Sequence, residues 1–480
     1  MVEFLSGRFA AAGLLTCTLI LGIYGMGRSL WLDEAWVANS VNAPTLGAMF
    51  HYPDWLQTSP PLFLLMARGA IRVFGLSDVS LRMVPLGLAL LAVVGMLAVA
   101  RRVVPPAFAA LACAALIFHP TMIEYFRSFK QYSGEVAATT FVLWATVRYL
   151  QSPERRQFWW LVGTVVLAMS LSYPTVFLLP GMLWAVRPLR RGLALAAVSA
   201  GVLAILYWWF IRPNVSSSLQ VYWSVGGRDL GTLALTGLAA VCVVVIAARP
   251  RFGIQGRLVI VCALPFLLFA IAEAAGWYPQ SPRTSLFLRP CLVLAAVMAG
   301  AEISKNWNRL VVESVVVLLA IVMVFLGVRK QFHEGRFQPE EDFAGVVRYL
   351  SKNAGPTDIV LVHASMREGF LLYTAMQGWS PPNAVFSDTG WPCCPRGKDA
   401  RPGSSTEAAV LADLDSKIPR EFSGRIWLFH SARPTHWDYT GLDEGEAWQR
   451  YFWNRNCRPG PYIRFPNLGI SPVICSGNSR

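Results

Sequence analysis

The chain has 480 residues, of which 55% are hydrophobic and 15% are charged, and its formal net charge is +14. An average soluble domain carries about 25% charged residues, so this composition excludes an ordinary soluble enzyme. Residues 1–330 contain 26 Lys and Arg against 12 Asp and Glu, whereas residues 331–480 contain 16 of each. The basic excess belongs to the apolar part, which argues against nucleic acid as a partner. We predict a polytopic α-helical membrane domain over 1–330 and a globular domain over 331–480.

Apolar segments long enough to cross a membrane recur as far as residue 330. A membrane-spanning helix needs about 20 mostly apolar residues, and we predict about eleven spans. In chain order they are Phe9–Met26, Arg82–Ala100, Ala107–Pro120, Ser133–Leu150, Phe158–Tyr173, Thr175–Val186, Leu193–Ile211, Leu230–Ala247, Leu258–Ala275, Ser285–Glu302 and Leu310–Val328. The first lacks a small-residue cleavage site, so it indicates a retained span rather than a signal peptide.

The basic residues of the short loops predict the orientation in the membrane. They fall in every second loop, as Arg101/Arg102, Arg155/Arg156, Arg187/Arg190/Arg191, Arg249/Arg251/Arg257 and Lys305/Arg309. Cytoplasmic loops carry an excess of Lys and Arg. We therefore expect the N-terminus in the cytoplasm and residues 331–480 on the periplasmic or extracellular side. The expected location is a plasma membrane of the bacterial inner-membrane type, with membrane lipids as partners.

The segment Pro60–Gly75 is apolar, but we do not count it as a span. It is short, opens with two prolines, and carries Arg68 and Arg72 on one helical face. Counting it as a span would place all the basic clusters outside. We therefore predict an amphipathic helix on the outer membrane surface. This helix belongs to a long first external loop, residues 27–81, and long ordered loops tend to be functional.

Beyond residue 330 the pattern is that of a small α/β domain. Glu340–Ser351 and Met366–Met376 are predicted helices because apolar residues recur in them at helical spacing. Asp358–His363 and Arg425–Phe429 are short apolar runs, typical of buried strands. Pro381–Ser405 is rich in Pro, Gly and Ser and is predicted to be loop. Alternating helices and strands indicate an α/β layer architecture.

The nine cysteines divide into two groups. Those in predicted spans are attributed to packing: Cys17, Cys113, Cys242, Cys262 and Cys291. The others lie in the predicted outer domain: Cys393, Cys394, Cys457 and Cys475. An even number of cysteines in an oxidising compartment favours disulfides. A zinc site is not predicted, because these cysteines lack the Cys-x-x-Cys-like spacing of zinc ligands. Because Cys393 and Cys394 are adjacent, we expect each to pair with one of the other two.

Ionisable residues from three separate loops are predicted to meet at the outer membrane face. The acids are Asp33 and Glu34 after the first span and Glu124 after the third. The other members are Arg127, Lys130 and Tyr132, which follow Glu124, and Arg283 after the ninth span. A carboxylate at this position can act as a general base, and Arg and Lys can hold a phosphate. Such a set predicts transfer from a phosphate-linked lipid donor.

Simpler interpretations apply to the same residues. An acid beside a membrane end is often an anchor or an ion-pair partner, and basic residues near headgroups commonly bind lipid. His51, His119 and His363 lack metal-ligand spacing. The alternative function is a transporter or flippase of a lipid-linked or small polar substrate, which would place charges near the membrane midplane and show internal repeats. A scaffold with a lectin-like outer domain is a further alternative.

Three segments, taken in order, carry a family resemblance. They are LWLDEAW after the first span, SPPLFLLMARGAIRVFG followed by SLRMVPLGLALLAV, and then HPTMIEYFRSFKQYSGE, with YPQSPR as a weaker fourth. The chain resembles the membrane glycosyltransferases of the GT-C fold. Within them it is similar to the family 39-like branch of protein O-mannosyltransferases and the lipid A aminoarabinose transferase. The likeness covers about the first 150 residues.

The resemblance implies a polyprenyl-phosphate monosaccharide donor and inverting transfer at the outer face. The acceptor would be a hydroxyl of a lipid, a protein or a glycan. The first-loop acid maps to Asp33, with Glu34 beside it, and the second-loop acid maps to Glu124. The donor phosphate would be held by residues among Arg127, Lys130 and Arg283, with Tyr132 beside them.

One motif departs from the family pattern. Many relatives have His-Pro-Pro-Leu where this chain has Ser59-Pro60-Pro61-Leu62, which leaves the role of that histidine unassigned. Some GT-C enzymes use a divalent metal and others do not. A divalent metal is therefore compatible with the resemblance, but we assign no metal ligands and no cofactor.

Overall fold

The computed structural model describes residues 9–51, 58–214, 253–278, 281–333, 339–381, 383–387, 407–431 and 444–476. Within these ranges the chain forms a bundle of α-helices followed by a mixed β-sheet with flanking helices. Several sequence predictions lie outside the described residues. They are the span Leu230–Ala247, the cysteines Cys242, Cys393 and Cys394, and most of the loop Pro381–Ser405.

The first part of the described chain contains fourteen α-helices, labelled in chain order. They are α1 Ala10–Ile23, α2 Leu32–Asn42, α3 Leu46–Phe50, α4 Pro61–Phe74, α5 Asp78–Ala100, α6 Pro106–Ile117, α7 Pro120–Phe126, α8 Tyr132–Gln151, α9 Arg155–Leu171, α10 Leu179–Ala185, α11 Leu189–Leu206, α12 Ile254–Ala274, α13 Arg289–Ile303 and α14 Arg309–His333. Helices α1 and α5–α14 share one continuous apolar core. Helices α2–α4 belong to the predicted first external loop and pack elsewhere.

Several of these helices meet the length and apolarity of membrane spans. Five segments do so alone, and α6 with α7 would make a sixth although they bend by 67° at their junction. The five are Asp78–Ala100, Leu189–Ile211, Ile254–Ala274, Leu286–Asn306 and Arg309–His333. Helix α1 and the segment Tyr173–Ala185 are apolar but shorter. The helices are those of a multi-pass membrane protein, and the count of about eleven stays a prediction.

Close packing of α5 against α8 forms the centre of the bundle. The two helices approach at Gly95, where a Cβ atom would overlap the side chain of Thr140. Helix α5 begins at Asp78 because Ser77 caps it: the Ser77 hydroxyl accepts a hydrogen bond from the Ser80 N–H at 3.1 Å. Helix α5, which belongs to the apolar core of the bundle, therefore begins close to the end of the first external loop.

The predicted amphipathic helix is present as α4. Pro61 occupies its first turn, where the missing N–H costs nothing, and Gly75 ends it with a φ of 78°. The two arginines do not share one environment. Arg72 is exposed, whereas Arg68 is buried and donates to the carbonyls of Ala43 at 2.7 Å and Pro44 at 3.1 Å. Arg68 thus stabilises the C-terminal end of α2 instead of facing lipid headgroups.

The C-terminal part is an α/β structure built on a six-stranded mixed sheet. Its elements are α15 Phe343–Asn353, β1 Ile359–Val362, α16 Arg367–Gln377, β2 Ala384–Phe386, α17 Glu407–Lys417, β3 Gly424–Ser431, α18 Glu444–Asn454, β4 Cys457–Pro459, β5 Ile463–Phe465 and β6 Leu468–Cys475. The strand order is β2-β1-β3-β6-β4, and β5 also pairs with β6. Strands β1–β3 are parallel, and β6 runs antiparallel to β3, β4 and β5. The predicted α/β class is confirmed.

The two faces of this sheet bury different partners because side chains alternate along a strand. Val360 and Val362 of β1 lie in one apolar cluster, and Ile359 and Leu361 lie in another. The second cluster contains residues of α17 and α18. The first contains residues of α15 and α16 together with α2, α4 and the start of α5. The C-terminal part therefore shares a core with the first external loop, so both lie on the same side of the bundle.

The disulfide pairing that we predicted is wrong. Cys457 bonds Cys475, and neither pairs with Cys393 or Cys394. Their positions on the antiparallel strands β4 and β6 explain the bond: they are direct register partners with Cα atoms 4.1 Å apart. The sequence could not reveal this, because register is a property of the folded sheet. Among the described cysteines, Cys17, Cys113, Cys262 and Cys291 are free thiols.

We expect Cys475→Ser to lower the melting temperature of the purified protein. The bond closes a loop with a sequence separation of 18, and a cross-link of that length stabilises by about 3 kcal/mol. Dithiothreitol should lower the melting temperature of the wild type similarly and leave the variant unchanged. The control is Cys17→Ser, which removes an exposed free thiol. Alkylation of Cys457 in the unreduced, folded protein would contradict the assignment.

Candidate functional site

Asp33 lies in the first turn of α2, where the chain leaves the membrane bundle. Its Oδ2 atom is 3.3 Å from Nη1 of Arg283 and 3.7 Å from Nζ of Lys130. The three residues come from three loops that are distant in sequence. The structure therefore brings together part of the predicted site, which we call the Asp33 cluster (Asp33, Lys130 and Arg283).

The Asp33 cluster is partly open to solvent. Asp33 has 25% of its side chain exposed, Arg283 has 21% and Lys130 has 13%. Burial lowers the pKa of Lys130 from its ordinary 10.5, the carboxylate of Asp33 opposes this effect, and the charge of Arg283 adds to it. The Asp33 carboxylate therefore favours the charged form of Lys130. Together the cluster has one anion between two cations, and an external anion can approach both cations.

Two tyrosines form a wall beside the cluster. The rings of Tyr125 and Tyr132 meet edge to face with their centroids 4.6 Å apart. Both side chains interact electrostatically with Arg283 and Asp33. The predicted donor-side residue Tyr132 thus lies next to the cluster. An aromatic wall beside a charged group suits a ligand with an apolar and a polar face.

Glu34, the neighbour of Asp33, lies in a different environment. Its side chain is fully buried and forms an ion pair with Arg82, with 2.6 Å between Oε2 and Nη2 and 3.2 Å between Oε1 and Nε. It also accepts hydrogen bonds from the N–H groups of Phe129 and Trp31. Burial opposes its ionisation, but Arg82 and the Phe129 N–H outweigh burial and lower its pKa below 4.5.

Arg82 completes this buried network from α5. Besides Glu34 it donates to the backbone carbonyls of Met26, Arg28 and Ser29. The pair therefore ties α2, α5, the connection after α1 and the loop after α7 together. We predicted a catalytic role for Glu34, but this geometry favours a structural one, because every partner of its carboxylate is a fixed protein group.

Arg127 and Glu124 lie on the side of the site towards α1. Arg127 is 2% exposed and donates to the carbonyl of Tyr24 at 3.2 Å. Burial, together with the charges of Arg28 and Arg82, lowers its pKa to about 9, and the Glu124 carboxylate opposes that shift. Arg28 donates to the Arg127 carbonyl at 3.4 Å. Arg127 is thus bound to backbone and buried, and its predicted contact with a donor phosphate stays a prediction, as does the catalytic role of Glu124.

Sequence reasoning missed four residues around the site. Arg82 supports Glu34, Tyr125 faces Tyr132, and Glu341 accepts a hydrogen bond from the Leu32 N–H at 2.7 Å. Glu135, one turn into α8, is buried, and its Oε2 has no hydrogen-bond partner among the described residues. Arg82 and Glu135 carried a usable signal, because an ionisable residue inside an apolar segment needs a partner or a function. Tyr125 and Glu341 carried none.

The described residues contain no group of three His, Cys, Asp or Glu side chains that could hold a metal ion. The expectation of no assigned metal ligand stays a prediction.

Comparison with protein families identifies a match. The family described as "Dolichyl-phosphate-mannose-protein mannosyltransferase" matches residues 58–211. This segment is about a third of the chain and contains α4–α11, including Lys130 and Tyr132. No curated protein sequence matches the chain.

Solved structures resemble the chain over nearly its whole length. ArnT from Cupriavidus metallidurans in the apo state is 14% identical, with a TM-score of 0.58 over 96% of this chain and 97% of that chain. ArnT bound to undecaprenyl phosphate is 12% identical, with a TM-score of 0.54 and the same coverage. The Archaeoglobus fulgidus oligosaccharyltransferase in complex with Zn and sulfate is 12% identical, with a TM-score of 0.55 over 87% of this chain and 67% of that chain.

At these identities the likeness establishes the fold. The chain has the GT-C fold of these membrane glycosyltransferases, a helical bundle followed by a mixed α/β part. The GT-C fold expected from the resemblance is confirmed.

We expect Glu34→Gln and Arg82→Leu to be far more destabilising singly than together. Each single change leaves one buried charge without its partner, which costs about 3–5 kcal/mol, whereas the double variant removes both charges. Fluorescence-detected size exclusion after a heat series measures the difference. The control pair is Glu446→Gln and Arg450→Leu, an exposed ion pair on α18, where changes should be within about 1 kcal/mol. Equal, additive losses at Glu34 and Arg82 would contradict this assignment.

Proposed function

We propose that the chain is an integral membrane glycosyltransferase. It moves a monosaccharide from a polyprenyl-phosphate donor to an acceptor hydroxyl on the outer membrane face, with inversion at the anomeric carbon and with Asp33 as the general base. The observation that carries the proposal is the Asp33 cluster: one partly exposed carboxylate held between two cations at the end of the membrane bundle.

The cluster supplies the charges that this reaction needs. The leaving group is a phosphate that gains negative charge as the bond from the anomeric carbon to the phosphate oxygen breaks. Lys130 and Arg283 can stabilise that charge, Arg283 through two parallel N–H donors. The acceptor oxygen forms the new bond to the anomeric carbon, and its proton passes to the Asp33 carboxylate. Atoms and charge then balance without a further reactant.

Binding of the donor would also prepare the base. In the free protein Lys130 and Arg283 lie 3.7 Å and 3.3 Å from Asp33, which are loose ion-pair distances. A donor phosphate between the two cations would compete for their N–H groups and release the carboxylate lone pairs of Asp33. The base would therefore be available for the acceptor chiefly when the donor is present, which limits unproductive hydrolysis.

The comparisons support this proposal in general terms. The matched family is described by its dolichyl-phosphate-mannose donor and its protein acceptor. ArnT, which shares the fold over nearly the full length, has been solved with undecaprenyl phosphate. A polyprenyl phosphate is thus a ligand of proteins with this architecture, and a lipid, protein or glycan acceptor is proposed with it. The multi-pass bundle would lie in a bacterial-type inner membrane, with the C-terminal part outside.

We expect Asp33→Asn to lower kcat by about 10²–10⁴-fold, because a positioned general base contributes that much. The substrate pair is a polyprenyl-phosphate monosaccharide and an accepted hydroxyl, and release of polyprenyl phosphate is measured. The matched control is Asp415→Asn on α17, a carboxylate that bonds Tyr451 and Arg420 far from the cluster. Undiminished turnover in a folded Asp33→Asn protein would overturn the base assignment. Movement of substrate across vesicle membranes without bond formation would favour the transporter instead.

We expect Lys130→Gln and Arg283→Gln to raise the KM for the donor about tenfold each, with a smaller effect on acceptor KM, because each removes one charge-assisted contact to phosphate. The control is Lys417→Gln, which pairs with Asp413 on α17.

The pH dependence separates the two cations. Burial lowers the pKa of Lys130. Donor affinity should therefore fall as the pH rises through this lowered pKa, because the lysine loses the positive charge that holds the phosphate. Lys130→Arg should remove the fall, because arginine stays charged. A donor KM that is independent of both cations would contradict the phosphate contact.

A further inference from the structure

Helix α2, which presents Asp33, begins without a hydrogen bond from the side chain of its N-cap residue. The residue before the helix is Trp31, whose side chain makes no capping hydrogen bond. The first N–H groups of a helix have no partner within it and must find one elsewhere. Glu34 accepts from the N–H of Trp31 at 3.2 Å. The N–H of Leu32, the first helical residue, remains to be satisfied.

The missing cap comes from the C-terminal part of the chain. Oε2 of Glu341, just before α15, accepts a hydrogen bond from the Leu32 N–H at 2.7 Å. A carboxylate at a helix N-terminus also interacts favourably with the helix dipole. The residue that receives this support directly precedes Asp33.

Tyr373 of α16 contacts the backbone that leads into α2. Its hydroxyl accepts from the Leu30 N–H at 2.6 Å and donates to the carboxylate of Asp78 at the start of α5. Tyr373 as a whole residue is 1% exposed. One side chain of the C-terminal part thus joins the connection before α2 to the membrane helix α5.

A third contact holds the middle of α2. The side-chain amide of Asn39 donates to the Glu368 carboxylate at 2.6 Å and to the Glu368 carbonyl at 2.9 Å. Helices α2 and α16 also share the apolar cluster beneath them. Lys130 precedes α8 and Arg283 precedes α13. The loop that carries Lys130 is joined to α2 through Glu34, which accepts a hydrogen bond from the Phe129 N–H. The contacts of Glu341 and Tyr373 instead reach the first turn of α2, the connection before it and the start of α5.

We propose that Glu341 and Tyr373 are positioning residues for Asp33, so that the C-terminal part of the chain completes the active site instead of only covering it. This inference rests on the proposed function. Glu341 fixes the first turn of α2, and Tyr373 fixes the backbone that leads into it. Loss of either lets the first turn fray and moves the Asp33 carboxylate away from the acceptor, while the cations that hold the donor stay in place.

The experiment compares Glu341→Ala, Glu341→Gln and Tyr373→Phe with the wild-type full-length protein. We expect Glu341→Ala and Tyr373→Phe to lower kcat about 10–100-fold, since a displacement of about 1 Å can cost that much, with the donor KM changed less than about twofold. Glu341→Gln should recover much of the loss, because its amide oxygen can still accept from the Leu32 N–H. The matched controls are Glu446→Ala and Tyr349→Phe, which lie in the same part of the chain away from α2.

Hydrogen–deuterium exchange over residues 30–42 tests the support independently of activity. We expect faster exchange in this segment for Glu341→Ala and Tyr373→Phe, and unchanged exchange for Glu341→Gln and both controls. Unchanged exchange in Glu341→Ala, equal losses of kcat in Glu341→Ala and Glu341→Gln, or a loss confined to donor KM would each overturn the inference. A wild-type protein that transfers no sugar would instead overturn the proposed function. The exchange data would still show whether Glu341 and Tyr373 hold the first turn of α2 in place.

Discussion

The buried ion pair between Glu34 and Arg82 is the interaction on which the site depends. It lies where α2, α5 and the loop after α7 meet, and it satisfies the N–H groups of Trp31 and Phe129 and three carbonyls of the connection after α1. A buried charge pair with complete hydrogen bonding allows little alternative geometry, because any displacement leaves a charge unpaired in a low dielectric. This pair therefore fixes the first external loop to the bundle next to Asp33, the proposed base.

From this point the adjacent acids Asp33 and Glu34 lie in different environments. On a helix, successive side chains point about 100° apart, so Glu34 points into the protein and Asp33 towards the open side, where Lys130 and Arg283 reach it. The C-terminal part then packs on the same helix through Glu341, Tyr373 and a shared apolar cluster. Three parts of the chain converge on one short helix, and this accounts for a carboxylate with a defined position at the edge of a membrane.

Much of this architecture was predictable because it follows from local patterns. The amphipathic segment Pro60–Gly75 is a helix since its apolar period and its terminal Pro and Gly agree. The strands predicted from the short apolar runs Asp358–His363 and Arg425–Phe429 are present, and the structure pairs them in parallel. The predictions that failed depended on contacts between residues that are far apart in sequence. Arg68 turns inward because α2 offers it carbonyls, and Cys457 bonds Cys475 because the register of β4 and β6 aligns them.

The sequence by itself determined a membrane bundle with an α/β part after it, and it placed Asp33, Lys130 and Arg283 in three loops on one predicted face. Composition, periodicity and the spacing of basic loops carry that information, since each acts over neighbouring residues. Only the tertiary structure decided which of two adjacent acids is buried and which faces the cations. It alone paired Glu34 with Arg82, 48 positions apart, and Glu341 with the N-terminus of α2, 309 positions apart. Such pairings depend on how elements pack, and no local pattern encodes them.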